Sequence, residues 1–235
     1  TDWSWLKTIA KRIDAQALPR SDRARGVTSA QLYAIGLQLM AKAENAALAA
    51  GQVTRDDALT YRDGLIIALL AAVPLRRRTL AALTTNQHLV KIGDCWLLDI
   101  PAADTKTRRP LEFPISDALS GRLDLYLARF RSAITGADTH HGLWPSGRGK
   151  PMAGGSIYDA VCRRTTEALG FPVNLHSFRR AAGNFWSISD PANVRGVKDL
   201  LGQTDFGTTE KHYIGAQSRL AGRALAKVLR PHGTR

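Results

Sequence analysis

Residues 89–115 read LVKIGDCWLLDIPAADTKTRRPLEFPI, and this stretch decides the fold class. Leu89–Ile92, Cys95–Ile100 and Leu111–Ile115 are short β-prone runs separated by turn residues such as Gly93-Asp94. They predict a small three-stranded antiparallel sheet. On both sides of it the periodicity is helical. Upstream, Thr28-Ser29-Ala30-Gln31 has the pattern of a helix N-cap with a polar residue at the third position, and Leu32, Ile35, Leu39 and Ala43 follow at helical spacing. Gly51 ends that helix. Thr54, with Asp56 and Asp57, opens a second helix that runs through Tyr61, Leu65, Ile66 and Leu69 to Val73, where Pro74 stops it. A short third helix is predicted from about Arg76 to Leu83. Downstream, helical patterns fall at about 116–132, 155–169, 176–187, 193–201 and 217–229. The predicted class is mostly α with one small antiparallel sheet inserted, an α+β fold.

The 235 residues are enough for one large domain or two small ones with a real core. A composition of 44% hydrophobic and 23% charged residues excludes a disordered or low-complexity chain. The charge is unusual. Thirty-three Lys and Arg against 20 Asp and Glu leave +13, which favours a polyanionic partner, most often nucleic acid. The surplus is +3 over residues 1–27, +4 over 28–173 and +6 over 174–235, so the last quarter is the most basic for its length. The segment ALPRSDRARG, residues 17–26, is polar, basic and broken by Pro19, and reads as a linker. The absence of an initiating Met leads us to expect a fragment of a longer protein.

Two cysteines, Cys95 and Cys162, are too few for a disulfide framework, and no His or Cys spacing matches a zinc site. A reducing, cytoplasmic setting is expected. The longest apolar run, Leu65 to Leu75, is broken by Pro74 and too short to span a bilayer, so no membrane partner is expected. Trp3 and Trp5 lie among Asp2, Lys7 and Lys11, which is no signal peptide.

The candidate chemistry lies in Leu175-His176-Ser177-Phe178-Arg179-Arg180. His176 and Arg179 are three apart on a predicted helix, so they share a face and can address one anion together. Alone, such a pair is usually a solvated helix face. Its company changes the reading. Leu200-Leu201-Gly202-Gln203 and Thr208-Thr209-Glu210-Lys211-His212-Tyr213 follow it. Upstream stands Val73-Pro74-Leu75-Arg76-Arg77-Arg78-Thr79-Leu80, and Lys106 sits in the turn before the third predicted strand.

In this order the pattern resembles the catalytic domain of the tyrosine recombinases, the phage-integrase family of site-specific DNA recombinases. The signature is Arg after an apolar helix, Lys in a β-hairpin turn, H-x-x-R, L-G-H and a Tyr nine or ten residues later. The resemblance covers roughly residues 28–229 and implies a catalytic domain over 28–235, with 1–27 as the linker from a missing N-terminal DNA-binding domain. It implies strand cleavage and rejoining through a 3′-phosphotyrosine on Tyr213, with no metal or other cofactor. Arg76 and Arg179 would clamp the phosphate bidentately, which Lys cannot match. His176 would accept or relay the tyrosine proton, and Lys106 would protonate the leaving 5′-oxygen. The implied partners are double-stranded DNA and further copies of the chain, a tetramer on two DNA sites, in the cytoplasm on the nucleoid.

Four departures stand out. Gln203 occupies the usual His position, Thr79 stands where a Glu is frequent, and Ser177 and Arg180 replace a common acidic residue and a second His. None removes the nucleophile or either phosphate-clamping Arg. Two alternatives stay open: a type IB topoisomerase, which uses a similar residue set, and a DNA-binding regulator with impaired catalysis, of which Gln203 would be the trace.

Overall fold

A computed structural model describes residues 4–16 and 26–189 of the chain. The helices expected at 193–201 and 217–229, and with them Gln203 and Tyr213, lie outside the described residues. Helix α1 spans Ser4–Gln16, within the segment expected to be a linker. Trp5, Leu6 and Ile9 stand at helical spacing along it and are exposed.

Helices α2 (Ser29–Ala49) and α3 (Arg55–Ala72) form an antiparallel pair. Each begins with a reciprocal capping box. Thr28 and Gln31 close α2, and Thr54 and Asp57 close α3, so two otherwise unpaired donors are satisfied at each start. Helix α3 is the core of the domain. Every residue from Tyr61 to Ala71 is buried, including Leu65, Ile66, Ile67, Leu69 and Leu70. A helix buried on every side needs neighbours all round, and α2, α5, α6 and α7 enclose it. The two helices cross at Gly36 and Gly64. A Cβ on Gly36 would lie 2.6 Å from the Gly64 carbonyl oxygen and the Ala68 nitrogen, and one on Gly64 would lie 2.7 Å from the Gly36 carbonyl.

Helix α3 ends at Val73, and Pro74 prevents its continuation. Helix α4 (Arg77–Ala82) follows, then strands β1 (Leu89–Ile92), β2 (Cys95–Ile100) and β3 (Leu111–Pro114) in antiparallel order β1-β2-β3. The register pairs Ile92 with Cys95 across a two-residue turn whose Gly93 has φ 60°, and pairs Ile100 with Leu111. Leu89, Leu98 and Ile100 turn inward to the core. The expected sheet is present with these boundaries, one residue shorter at its end.

The helix expected over 116–132 is more irregular than its periodicity suggests. Helix α5 covers Asp117–Leu125, and a π-helical turn continues through Tyr126–Phe130, with the Arg131 amide donating to the Tyr126 carbonyl at 2.7 Å. Tertiary packing accounts for the wider turn. It brings Tyr126 and Phe130 together into the core, where Phe130 stacks on Tyr61 at 4.0 Å between centroids and Tyr126 lies 6.0 Å from Trp144. Trp144 is buried, and its indole N–H donates to the Leu80 carbonyl at 3.0 Å, tying α4 to the chain that precedes α6. Helices α6 (Gly154–Leu169) and α7 (Leu175–Ser189) complete the domain, with Gly170 closing α6 at φ 77°.

The crossing makes a stability prediction. Gly36→Ala places a methyl group against backbone that cannot swing aside, so overpacking should cost about 1–3 kcal/mol. Gly121→Ala in α5, where a Cβ meets nothing within 4 Å, should instead stabilise by about 0.5–1 kcal/mol. Urea unfolding of both variants checks the contrast.

Candidate active site

Arg76 is the residue before α4, with extended backbone (φ −70°, ψ 145°). Buried Leu75 and Leu80 on either side fix its direction, leaving Arg77 and Arg78 exposed and Arg76 half-buried. On α7, Leu175 and Phe178 face the core, which sets His176 outward and leaves Arg179 half-buried. Asn174 caps this helix start, its Oδ1 accepting from the Ser177 amide at 3.0 Å. Arg179 Nη1 donates to the Pro74 carbonyl at 2.5 Å and so fastens the start of α7 to the end of α3.

The result is one open cleft of about 400 Å³, lined by Leu75, Arg76, Arg77, Tyr158, Asn174, Leu175, His176 and Arg179. Burial, and then the like charge of Arg76, push Arg179 down to about 10, which leaves it cationic at neutral pH. An anion bridging the two guanidinium groups would relieve both costs. Tyr158, contributed by α6, is a cleft residue that the sequence did not single out. Its phenol is held above the ordinary value, first by a hydrogen bond with the Cys162 thiol and then by the charge of that group. That is the wrong direction for an activated nucleophile.

Lys106 is exposed on the turn between β2 and β3. The turn touches α4 where the Thr79 hydroxyl meets the Asp104 carbonyl at 3.5 Å. Of the four described residues from the predicted set, the structure gathers Arg76, His176 and Arg179 in one cleft and puts Lys106 on a turn beside α4. Gln203 and Tyr213 lie outside the described residues.

A second basic feature has no counterpart in the sequence reading. Arg55, Arg62, Arg148, Lys150 and Arg163 line an open groove of about 860 Å³ along the start of α6. Its floor rests on Asp63, whose fully buried carboxylate accepts from Arg62 at 2.6 Å, Arg164 at 3.0 Å and Arg163 at 3.1 Å. These cations come from distant segments and form no linear motif. No helix among the described residues is long and apolar enough to cross a membrane.

Comparison with known proteins gives this geometry a setting. The chain is 29% identical over 176 residues to the tyrosine recombinase XerD of Pseudomonas aeruginosa, covering 74% of this chain and 56% of that protein. It is 27% identical over 185 residues to the tyrosine recombinase XerC of Mycobacterium bovis, covering 78% and 58%. Among solved structures it matches XerH bound to a difH substrate after cleavage (TM-score 0.60, 16% identity, 83% of this chain and 51% of that one) and XerA recombinase (TM-score 0.60, 14% identity, 94% and 73%). This is the tyrosine recombinase catalytic-domain fold. The chain is similar in sequence to these tyrosine recombinases, and it spans a little more than half the length of the curated relatives it matches. No protein-family model matches it.

The cleft predicts anion binding in the absence of any nucleic acid. Sulfate at ten times its dissociation constant should stabilise the protein by about 1.4 kcal/mol over chloride of equal ionic strength. That corresponds to a rise in Tm of about 3–6 °C for a domain of this size. The increment should vanish in Arg76→Ala, as thermal melts in matched salts will reveal.

Proposed function

We propose that this chain carries the catalytic domain of a site-specific DNA recombinase that cuts and rejoins strands through a phosphotyrosine intermediate. The observation that carries the reading is the cleft itself. Arg76 and Arg179 are far apart in sequence yet line one open surface together with His176, and their side chains suit a phosphodiester.

The roles follow from the chemistry. Two guanidinium groups neutralise the non-bridging oxygens and stabilise the charge that grows on them in the transition state. The Tyr213 phenol attacks phosphorus while His176 takes its proton, and the new P–O bond holds the 3′ end of the strand on the protein. The P–O bond to the 5′-oxygen breaks, and the Lys106 ammonium supplies that oxygen with its proton. Rejoining is the reverse, with a 5′-hydroxyl attacking the phosphotyrosine and Tyr213 leaving. One phosphodiester replaces another, so no external energy source is required, and the guanidinium pair provides the positive charge that a metal ion would otherwise supply. Gln203 would contribute a neutral N–H to the phosphate, worth about half of a charged donor. The partners in this reading are duplex DNA and further copies of the chain assembled on two sites, in the cytoplasm on the nucleoid.

Two experiments follow, each on a nicked suicide duplex carrying a site selected from genomic DNA. Tyr213→Phe should bind that duplex nearly as well as the parent, because one hydroxyl is a small part of a phosphate-dominated interface. It should form no covalent adduct on a denaturing gel, and an undiminished adduct would remove Tyr213 from the mechanism. Arg179→Lys keeps the charge but loses the fork, so single-turnover cleavage should fall by about 10²–10³-fold. Gln203→Ala should lose less than Arg179→Ala in the same assay.

A further inference from the structure

His88 stands between α4 and β1, 2% exposed, and the proposed mechanism gives it no role. Its surroundings define which ring nitrogen donates and which accepts. The Thr84 backbone N–H can only donate, and it points at Nδ1 from 3.0 Å, so Nδ1 accepts and the ring proton sits on Nε2. Nε2 then donates to the Asp104 carboxylate at 3.1 Å. Asp104 closes the 3₁₀ turn Ala102–Asp104 after β2, two residues before Lys106.

The base of that turn is braced throughout. Thr105 is buried, and its hydroxyl donates to the Arg109 carbonyl at 2.8 Å and accepts from the Arg109 amide at 3.1 Å. Lys106 and Arg108 stand beyond the brace, exposed, and Arg108 adopts φ 53° at the tip. On the opposite side, Thr84 lies two residues past the end of α4, whose first residue succeeds Arg76. A continuous path therefore runs from Arg76 through α4 and Thr84 to His88, and from the imidazole through Asp104 to Lys106. With both ring nitrogens engaged, the buried imidazole is fully satisfied and joins the loop to the segment after α4 as a rigid link of fixed length.

We propose that His88 and Asp104 form a strut that sets the position of Lys106 relative to the phosphate held by Arg76. They are positioning residues and touch no reacting atom. This inference rests on the reading of Lys106 as the acid for the leaving 5′-oxygen. Displacement of a reacting group by about 1 Å costs on the order of 10²-fold in rate, so a strut of this kind governs cleavage without contacting DNA.

Asp104 is 42% exposed at its side chain, so Asp104→Ala leaves the fold in place and removes only the strut. Single-turnover cleavage is measured for the parent, Asp104→Ala, Lys106→Ala and the double variant. The substrates are two suicide duplexes, one with the ordinary 5′-oxygen at the scissile position and one with sulfur there, which departs without a proton. The strut predicts a loss of about 10–100-fold for Asp104→Ala on oxygen. It also predicts near-parent cleavage on sulfur, and no further loss when Asp104→Ala is added to Lys106→Ala. Asp104→Asn, which still accepts from Nε2, should recover most of the oxygen rate. If Lys106→Ala is rescued by sulfur and Asp104→Ala is not, the strut is wrong and the acid stands. If Asp104→Ala cleaves the oxygen substrate at the parent rate, the strut is again wrong. If Lys106→Ala itself gains nothing from sulfur, the acid assignment fails and the strut falls with it.

Discussion

The hydrogen bond from Arg179 to the Pro74 carbonyl joins positions 105 residues apart, and the rest of the site depends on it. The carbonyl is available because Pro74 ends α3 and turns the chain towards α4. The guanidinium is available because Leu175 and Phe178 bury the opposite face of α7 against α3. Neither helix alone creates a site. Fastened together, they hold Arg179 beside Arg76 and direct His176 into the same cleft.

Holding those two cations together costs stability. Arg179 is partly desolvated and sits close enough to a like charge to lower its proton affinity. The protein treats charge differently a short distance away, where Asp63 is fully buried beneath Arg62, Arg163 and Arg164. There the carboxylate satisfies a surplus of guanidinium groups and leaves the local structure complete. At the cleft the surplus is directed outward, at the position that an anion would take. Removing Asp63 would leave buried Arg62 without its carboxylate, a change that costs about 3–5 kcal/mol in other broken buried pairs. The Asp63 cluster braces the fold, whereas the cleft leaves two guanidinium groups facing one open surface.

Much of this was legible in the sequence. The capping pattern at Thr28 and Gln31, the stop at Pro74 and the three strands between Leu89 and Ile115 are local signals, and the structure follows them closely. The H-x-x-R spacing on a helix placed His176 and Arg179 on one face. Features that depend on distant partners were not readable. The π turn at Tyr126–Phe130 answers to Tyr61 and Trp144, which no period of 3.6 encodes. Tyr158 enters the cleft because α6 packs on α4, not because of its neighbours in sequence. His88 and Asp104 are 16 residues apart on two sides of a hairpin, and neither belongs to a motif. The basic groove beside α6 is assembled from three separate segments in the same way.

In the proposed function, the cleft between α4 and α7 holds the scissile phosphate. A crystal structure of the Tyr213→Phe protein on its selected duplex tests this most directly. Non-bridging oxygens of the scissile phosphate are expected about 2.7–3.2 Å from guanidinium nitrogens of both Arg76 and Arg179, with the His176 ring in contact. A duplex whose scissile phosphate lies against Arg55, Arg148 and Lys150 instead, away from Arg76 and Arg179, would contradict it.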